Sequence, residues 1–270
     1  MLYKDIASKL GDFTERQVRG WVNNHCPSVK IRKFNDLYFS NISTPSQAYW
    51  LGFIYADGAV VYNTQIRNYE LTIELDYHDK YILEEFNKTL GNAHEVTDRI
   101  RTKQICDYKE QSTSHTSRIR IYSKRIVEDL MNNNIIPNKT DYPNYPTVSK
   151  ELFWDFMRGY FDGDGCIYVN RQKPATKSAV HITSSHKEVF EYIQEILKSE
   201  YGINSKIYQE KERKYRLMII TYEDIMKFLE YIYYSDDAIR LNRKYEKYIE
   251  LALLCGNTEV INRAKSKEAY

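Results

Sequence analysis

The chain predicts an α+β fold, two similar subdomains of helices and strands behind a small all-helical segment. Three observations predict it. A nine-residue pattern, Trp50-Leu51-Gly52-Phe53-Ile54-Tyr55-Ala56-Asp57-Gly58, returns as Met157-Arg158-Gly159-Tyr160-Phe161-Asp162-Gly163-Asp164-Gly165, 107 residues later (164 − 57). Each copy is followed by the same order of elements: two strands, a helix, two strands, a helix. A repeat of roughly 105 residues is too long for a solenoid unit, so it marks two like subdomains related by a pseudo-twofold axis.

The first segment, residues 1–44, reads as a helix–turn–helix-like extension and connector. Ile6, Ala7 and Leu10 form one apolar face, and Gly11 ends that helix. Thr14 with Gln17 is a capping-box signal for a second helix, with Val18, Trp21 and Val22 inside. Its outer face offers Glu15, Arg16, Arg19, Asn23 and Asn24, which suit phosphate and base-edge contacts; the same pair of helices would serve as a packing element alone. Lys30, Arg32 and Lys33 are a small basic cluster, either solvated or phosphate-binding.

Residues 45–147 form the first half. Thr44-Pro45 starts a helix that runs to Asp57 and stops at Gly58. Strands follow near 59–64 and 67–76, the second alternating Tyr69, Leu71, Ile73 and Leu75 against Glu70, Thr72, Glu74 and Asp76. A helix near 78–90 ends at Gly91, strands lie near 94–106 and 116–122, and a helix near 124–133. Pro137 to Pro146, with three of the six prolines, is a stiff strap.

Residues 148–270 form the second half. Ser149 caps a helix to Asp164, stopped by Gly165. Strands near 166–171 and 178–184 follow, then a helix near 186–201 ended by Gly202. Strands near 204–211 and 214–221, a helix near 222–234 and a last helix near 239–254 complete it. Arg118-Ile119-Arg120-Ile121 corresponds to Arg216-Leu217-Met218-Ile219.

Composition bounds the class. Apolar content of 42 % supports a real core, and 28 % charged residues is ordinary for a soluble protein. Residues 1–44 carry seven Lys/Arg against four Asp/Glu (+3), and the remainder 32 against 33 (−1). Cys26, Cys106, Cys166 and Cys255 are far apart, which argues against a zinc site or disulfide framework. The six scattered histidines lack zinc-ligand spacing. No run approaches the roughly 20 residues of a membrane span, and no signal-peptide pattern opens the chain. The expectation is a soluble intracellular, cytoplasmic protein.

The chemistry concentrates in the repeated pattern. Gly52 with Ala56, and Gly159 with Gly163, share one helix face and allow two backbones to approach closely. Trp50, Phe53, Ile54, Tyr160 and Phe161 would fill the cores. Asp57 and Asp164 then lie at two helix C-termini, where the dipole disfavours negative charge and the two carboxylates repel. Divalent cations remove both penalties, and such oxygen-rich groups suit Mg²⁺. Two carboxylates holding metal beside a phosphodiester is the arrangement of metal-assisted hydrolysis.

These residues carry a resemblance. Over about residues 45–255 the chain resembles the single-chain, two-motif LAGLIDADG homing endonucleases. Its first motif departs at the first two positions and has Tyr55 at the family's variable first acid, where the second copy keeps Asp162. The resemblance implies two pseudo-symmetric αββαββα halves with saddle-shaped antiparallel sheets, and a monomer that binds double-stranded DNA. It implies cleavage across the minor groove at the centre of a long site, leaving short 3′ overhangs. Asp57 and Asp164, with Ala56 and Gly163 beside them, would hold two or three Mg²⁺ ions. Lys139 and Lys244 match the basic residue near each active site; the plain alternative for each is a solvated lysine.

The strands bear this reading. Residues 99–125 hold eight Lys/Arg against two acids. Arg99, Arg101 and Lys103 alternate, as do Arg118 and Arg120, so each set lies on one sheet face. Arg171, Lys206, Lys211, Lys214, Arg213 and Arg216 extend the basic set in the second half. Together they make a candidate DNA-reading surface, against a merely polar strand face. Two rival readings stand beside the nuclease: a non-cleaving regulator or intron-splicing maturase on the same fold, and a transcription factor led by residues 1–25.

Overall fold

The computed structural model describes residues 3–25, 34–104, 111–235 and 237–262. In chain order, helices α1 (Tyr3–Leu10) and α2 (Glu15–His25) precede α3 (Pro45–Asp57). Strands β1 (Gly58–Asn63) and β2 (Asn68–Asp76), helix α4 (Lys80–Leu90), strands β3 (Val96–Gln104) and β4 (Gln111–Tyr122), and helix α5 (Lys124–Asn132) follow. The order then recurs as α6 (Phe153–Asp164), β5 (Gly165–Tyr168), the one-turn α7 (Pro174–Lys177), β6 (Ala179–Ser184) and α8 (Lys187–Tyr201). It closes with β7 (Lys206–Lys211), β8 (Lys214–Ile219), α9 (Tyr222–Ile232) and α10 (Asn242–Leu254). The sheets have matching strand orders, β1-β2-β4-β3 and β5-β6-β8-β7.

Register confirms the internal repeat. In the first sheet Leu71 lies opposite Ile121 and Ile73 opposite Ile119; in the second, Val180 faces Ile219 and Ile182 faces Leu217. These eight side chains are all buried, each contributing about 1.5–3 kcal/mol by leaving water. The four-residue correspondence read from the sequence therefore holds strand for strand. Gly91 and Gly202 end α4 and α8 in the same left-handed conformation, with φ of 103° and 63°.

The chain packs as two compact units, Met1–Asn41 with Tyr62–Asp129, and Ile42–Val61 with Leu130–Tyr270. In the first, Leu71, Ile73, Ile119 and Ile121 of the sheet, Leu83 and Phe86 of α4, and Ile126 and Val127 of α5 are all fully buried. The helical pair α1–α2 has a small core of its own, Tyr3, Ala7, Val18 and Val22. The capping box is present: Gln17 N donates to Thr14 Oγ1 (3.3 Å) and Thr14 N to Gln17 Oε1 (2.8 Å). Lys4 Nζ donates to Gly91 O at 3.0 Å, tying α1 to the turn after α4.

The structure corrects several expectations. Trp21 and Leu10 are 59 % and 53 % exposed rather than internal, because Val18 and Val22 fix the buried side of α2 and Trp21 turns away to stack on His25. Strand β4 begins at Gln111, not 116; its polar first half lacks an apolar alternation but pairs with β3 through to Gln104–Gln111. Ser149 opens a short 3₁₀ turn, Lys150–Leu152, and α6 starts only at Phe153. Strand β5 ends at Tyr168, and α10 starts at Asn242 rather than 239.

In the second unit, Thr44 caps α3 with Gln47 returning the bond. Trp50, Phe53, Ile54, Tyr160 and Phe161 are each at most 1 % exposed. No helix among the described residues is long and apolar enough to cross a membrane.

Candidate active site

Helices α3 and α6 pack backbone to backbone, and glycine is what permits it. A Cβ on Gly52 would lie 2.1 Å from Phe156 O, and one on Gly159 would lie 1.9 Å from Tyr49 O. The contacts are reciprocal: Gly52 also meets Tyr160 N, and Gly159 meets Phe53 N. Adding 107 to 52, 49 and 53 gives 159, 156 and 160, so the helix pair is related by a local twofold. One turn further on, a Cβ on Gly163 would meet Ala56 Cβ at 2.2 Å and Asp57 Oδ2 at 3.2 Å.

That register brings the helix ends together. Asp57 is the last residue of α3 and exposed; Asp164 is the last of α6 and half-buried. The Asp57 carboxylate lies over Gly163, one residue from Asp164. Burial, then the charge of Asp57, pushes the Asp164 carboxyl up to about 6, against the opposing pull of Lys139 and Lys244. Two like charges are thus held at helix C-termini, Asp164 partly withdrawn from water and Asp57 open to it.

The two lysines have a more specific place than the sequence disclosed. Lys139 stands on a one-turn 3₁₀ segment, Lys139–Asp141, after Asn138 with φ 54°. Its Nζ donates to the carbonyls of Ile54 (2.8 Å), Ala56 (2.9 Å) and Gly58 (2.7 Å). Lys244, in the first turn of α10, donates to those of Phe161 (2.6 Å), Asp162 (2.6 Å) and Gly163 (3.2 Å). Each ammonium spends all three of its hydrogens on carbonyls at or just past a helix C-terminus, two of which, Ile54 O and Phe161 O, also accept the N–H of the glycine that ends the helix. Lys244 is only 4 % exposed, so the solvated alternative does not apply to it. Burial draws both lysines down to about 8, with the nearby acids opposing.

Asp162 has a role that sequence reasoning missed. It is fully buried, and its Oδ2 accepts from Tyr49 OH (3.0 Å) and Leu241 N (2.8 Å). Leu241 precedes α10, so Asp162 fixes the start of the helix that presents Lys244. Tyr55, at the equivalent position of α3, packs edge-on against Tyr160 with centroids 5.1 Å apart. Burial, then the charge of Asp164, pushes its phenol well up.

A cleft of about 270 Å³ opens beside Asp164, lined by Tyr55, Lys139, Thr183, Ser184, Ser185, His186 and Arg213 among others. The hydroxyls of Thr183, Ser184 and Ser185 carry no motif in the sequence. Their position at the end of β6, just before α8, was the available signal.

The donor set at the helix ends is all oxygen: two carboxylates and the carbonyls of Ala56 and Gly163, each with a lone pair left after its lysine. That fits a hard divalent cation. Among the described residues no cluster of three or more His, Cys, Asp or Glu offers a richer site.

The sequence-derived basic residues divide into groups. Cross-strand register places Arg99, Arg101, Arg118 and Arg120 on one face of the first sheet, opposite its core face. They are not a bare basic stripe. Glu74 pairs with Arg99 (3.4 Å) and Arg101 (2.9 Å), and Glu70 with Arg120 (3.2 Å). Burial raises the Glu74 carboxyl, but the Thr116 hydroxyl and the guanidiniums of Arg101, Arg99 and Arg118 outweigh it and lower its pKa. Those acids come from β2, outside the window of residues 99–125. Arg19 pairs with Glu15 (2.7 Å), and Arg16 is exposed. Arg171 pairs with Glu250 (2.7 Å), Arg213 with Asp141 (3.1 Å), Lys214 with Glu210 (3.1 Å), and Arg216 with Glu210. Lys206 and Lys211 are exposed. Arg32 and Lys33 lie outside the described residues, as do the side chains of Asn23 and Lys103.

A model of the LAGLIDADG-like domain matches residues 154–233. The chain is similar to the uncharacterized protein MJ0314 of Methanocaldococcus jannaschii, 27 % identical over 173 residues, 63 % of this chain and 60 % of that protein. It is also similar to the intron-encoded DNA endonuclease ai2b of Dictyostelium discoideum, 26 % identical over 190 residues, 67 % of this chain and 69 % of that protein. Among solved structures it shares the fold of the homing endonuclease I-WcaI bound to its DNA recognition sequence: TM-score 0.55, 15 % identity, 78 % of this chain and 90 % of that one. A mutant of I-SmaMI gives a TM-score of 0.52 at 16 % identity, over 83 % and 97 % of the two chains.

Proposed function

We propose that this chain, a LAGLIDADG protein whose two motif helices end at Asp57 and Asp164, is a site-specific DNA endonuclease that makes double-strand breaks with divalent metal. One observation carries the reading. Glycine-mediated contact of α3 with α6 brings two carboxylates together at helix C-termini, an arrangement that a bound divalent cation would stabilise further. Asp57 and Asp164 hold Mg²⁺, with the Ala56 and Gly163 carbonyls as further oxygen donors. When bound, the metal would supply Lewis-acid charge at the scissile phosphate.

The chain's own residues do the rest. The carboxylates orient the attacking water, whose oxygen bonds to phosphorus as its proton passes to solvent; the P–O bond to the leaving oxygen breaks, and that oxygen takes a proton from solvent. Lys139 and Lys244, held on backbone carbonyls, neutralise the helix ends and keep the acids ionised. Their hydrogens are committed, so they act through position and charge rather than by handing a proton to DNA. The Arg-rich sheet face and the exposed side of α2 supply phosphate and base contacts. A non-cleaving regulator on this fold would have no use for two retained acids.

The test is selection from a randomised duplex library: cut molecules recovered with Mg²⁺, bound molecules with Ca²⁺. A discrete cut sequence in Mg²⁺ supports the reading; binding without cutting in any divalent metal overturns it in favour of the regulator.

A further inference from the structure

The solvent faces of the two sheets differ in chemistry, and we infer from this that the DNA target is compositionally lopsided. The segment read by the first sheet is rich in G·C pairs, and that read by the second is rich in A·T pairs. This rests on the endonuclease reading, because it assumes that both faces meet duplex DNA.

The first sheet presents a lattice of opposite charges. Cross-strand register sets Glu74 opposite Arg118 and Thr72 opposite Arg120, with Arg118 opposite Thr97 and Thr116 opposite Arg99. Guanidiniums on β3 and β4 therefore share the face with carboxylates on β2, and the pairs Arg99–Glu74, Arg101–Glu74 and Arg120–Glu70 bridge them. Such couples match the major-groove edge of a G·C pair: arginine donates two hydrogens to guanine O6 and N7, and glutamate accepts one from the cytosine amino group. The bridges also hold the guanidiniums in place before DNA arrives, so less side-chain freedom is lost on binding. Arg101 and Arg120 remain 45 % and 44 % exposed, so they are presented to a ligand and not sealed.

The equivalent face of the second sheet carries more aromatic and sulfur surface, against the exposed Tyr122 beside Glu70 on the first. Register places Cys166 beside His181 and Met218, Lys206 on the far side of Met218, and Tyr208 beside Arg216. Tyr168 and Tyr208 are 53 % and 44 % exposed, while Val180, Ile182, Leu217 and Ile219 occupy the buried side. One glutamate, Glu210, holds Arg216 and Lys214 here, where two glutamates of the first sheet hold three arginines. Burial, then the charge of Arg216, lowers the pKa of His181, which keeps the imidazole neutral. Aromatic and thioether surface suits the thymine methyl, the apolar feature of the major-groove edge. This face therefore reads mainly A·T, with G·C positions confined to those beneath Arg216 and the lysines Lys206 and Lys214.

The experiment is selection of bound duplexes in Ca²⁺ and of cut duplexes in Mg²⁺, with the full-length wild type, Arg101→Gln, Arg120→Gln and Tyr208→Arg. The expected wild-type pool has one G·C-rich and one A·T-rich half. Arg120→Gln and Arg101→Gln relax discrimination only in the G·C-rich half, by about tenfold at one position each, the size of a single bidentate contact. Tyr208→Arg introduces a guanine preference in the other half. Circular dichroism and melting curves that match wild type establish that each variant is folded. Cut pools with equal halves, or variants that relax the opposite half, overturn this inference while leaving the nuclease reading intact. A lopsided pool bound in Ca²⁺ with no cutting in Mg²⁺ does the reverse.

Discussion

Gly159→Ala tests the α3–α6 contact with a single methyl group. The added Cβ would lie 1.9 Å from Tyr49 O, where about 3.5 Å is comfortable. The helices must part there by about 1.6 Å (3.5 − 1.9), and backbone, not a flexible side chain, must yield. Overpacking of this kind costs about 1–3 kcal/mol, and alanine's helix preference returns about 1. The upper end of the range applies to a backbone clash, so the net loss is about 2 kcal/mol. Function suffers more, because the acids are displaced with the helices, and a misplacement of about 1 Å costs about a hundredfold in rate. Gly20→Ala in α2 is the control: a Cβ there meets nothing within 4 Å, so it should stabilise by up to about 1 kcal/mol. Urea unfolding followed by tryptophan fluorescence, beside cleavage rates on a selected duplex, reads both effects. A Gly159→Ala protein as stable and as fast as Gly20→Ala would refute the close-contact argument.

Four further outcomes follow from the site. Lys244→Met should abolish cleavage with only a small change in stability. It leaves the carbonyls of Asp162 and Gly163 without the lysine donor, while Phe161 O keeps the Gly165 N–H, a loss of about 2–3 kcal/mol, but it also removes a buried charge whose depression from 10.5 to about 8 corresponds to about 3.4 kcal/mol (2.5 × 1.36); equilibrium unfolding and cleavage measured together check this. Asp162→Asn should keep nearly wild-type cleavage, since an amide oxygen still accepts from Tyr49 OH and Leu241 N, whereas Asp162→Ala should lower kcat with KM little changed. In the metal-free protein, Asp164 binds its proton up to about pH 6 when folded but only to about 3.8 when unfolded. The folded state then holds more protons between these values, so stability falls as pH rises from about 4 to 6; thermal melts with and without Asp164→Asn should show that slope and its loss. The same titration makes Mg²⁺ affinity fall below about pH 6, as isothermal calorimetry across pH 5–7 would reveal.

Much of this architecture was legible because the sequence states it twice. Gly52 and Gly159 announced close helices, Asp57 and Asp164 announced paired acids, and the alternation of Leu71, Ile73 and Leu75 announced a one-sided strand. Each is a local pattern that the second copy verifies. What stayed hidden depends on distant chain segments meeting. The carbonyls that Lys139 and Lys244 cap lie more than 80 residues earlier in the chain, so no window of sequence joins donor to acceptor. The arginines of β3 and β4 looked unopposed because their carboxylate partners, Glu70 and Glu74, are on β2, and register alone pairs them. Trp21 misled because an aromatic between two valines reads as core, while helical phase left it facing solvent. The buried clasp from Asp162 to the start of α10 had no sequence signal beyond an acid inside an apolar helix.

The most direct test of the central claim compares wild type, Asp57→Asn and Asp164→Asn on one selected duplex, with cleavage scored in Mg²⁺ and binding in Ca²⁺. The account predicts that wild type cuts both strands, that neither variant makes the double-strand break, and that all three bind alike. Undiminished cutting by either variant, with binding unchanged, would contradict it.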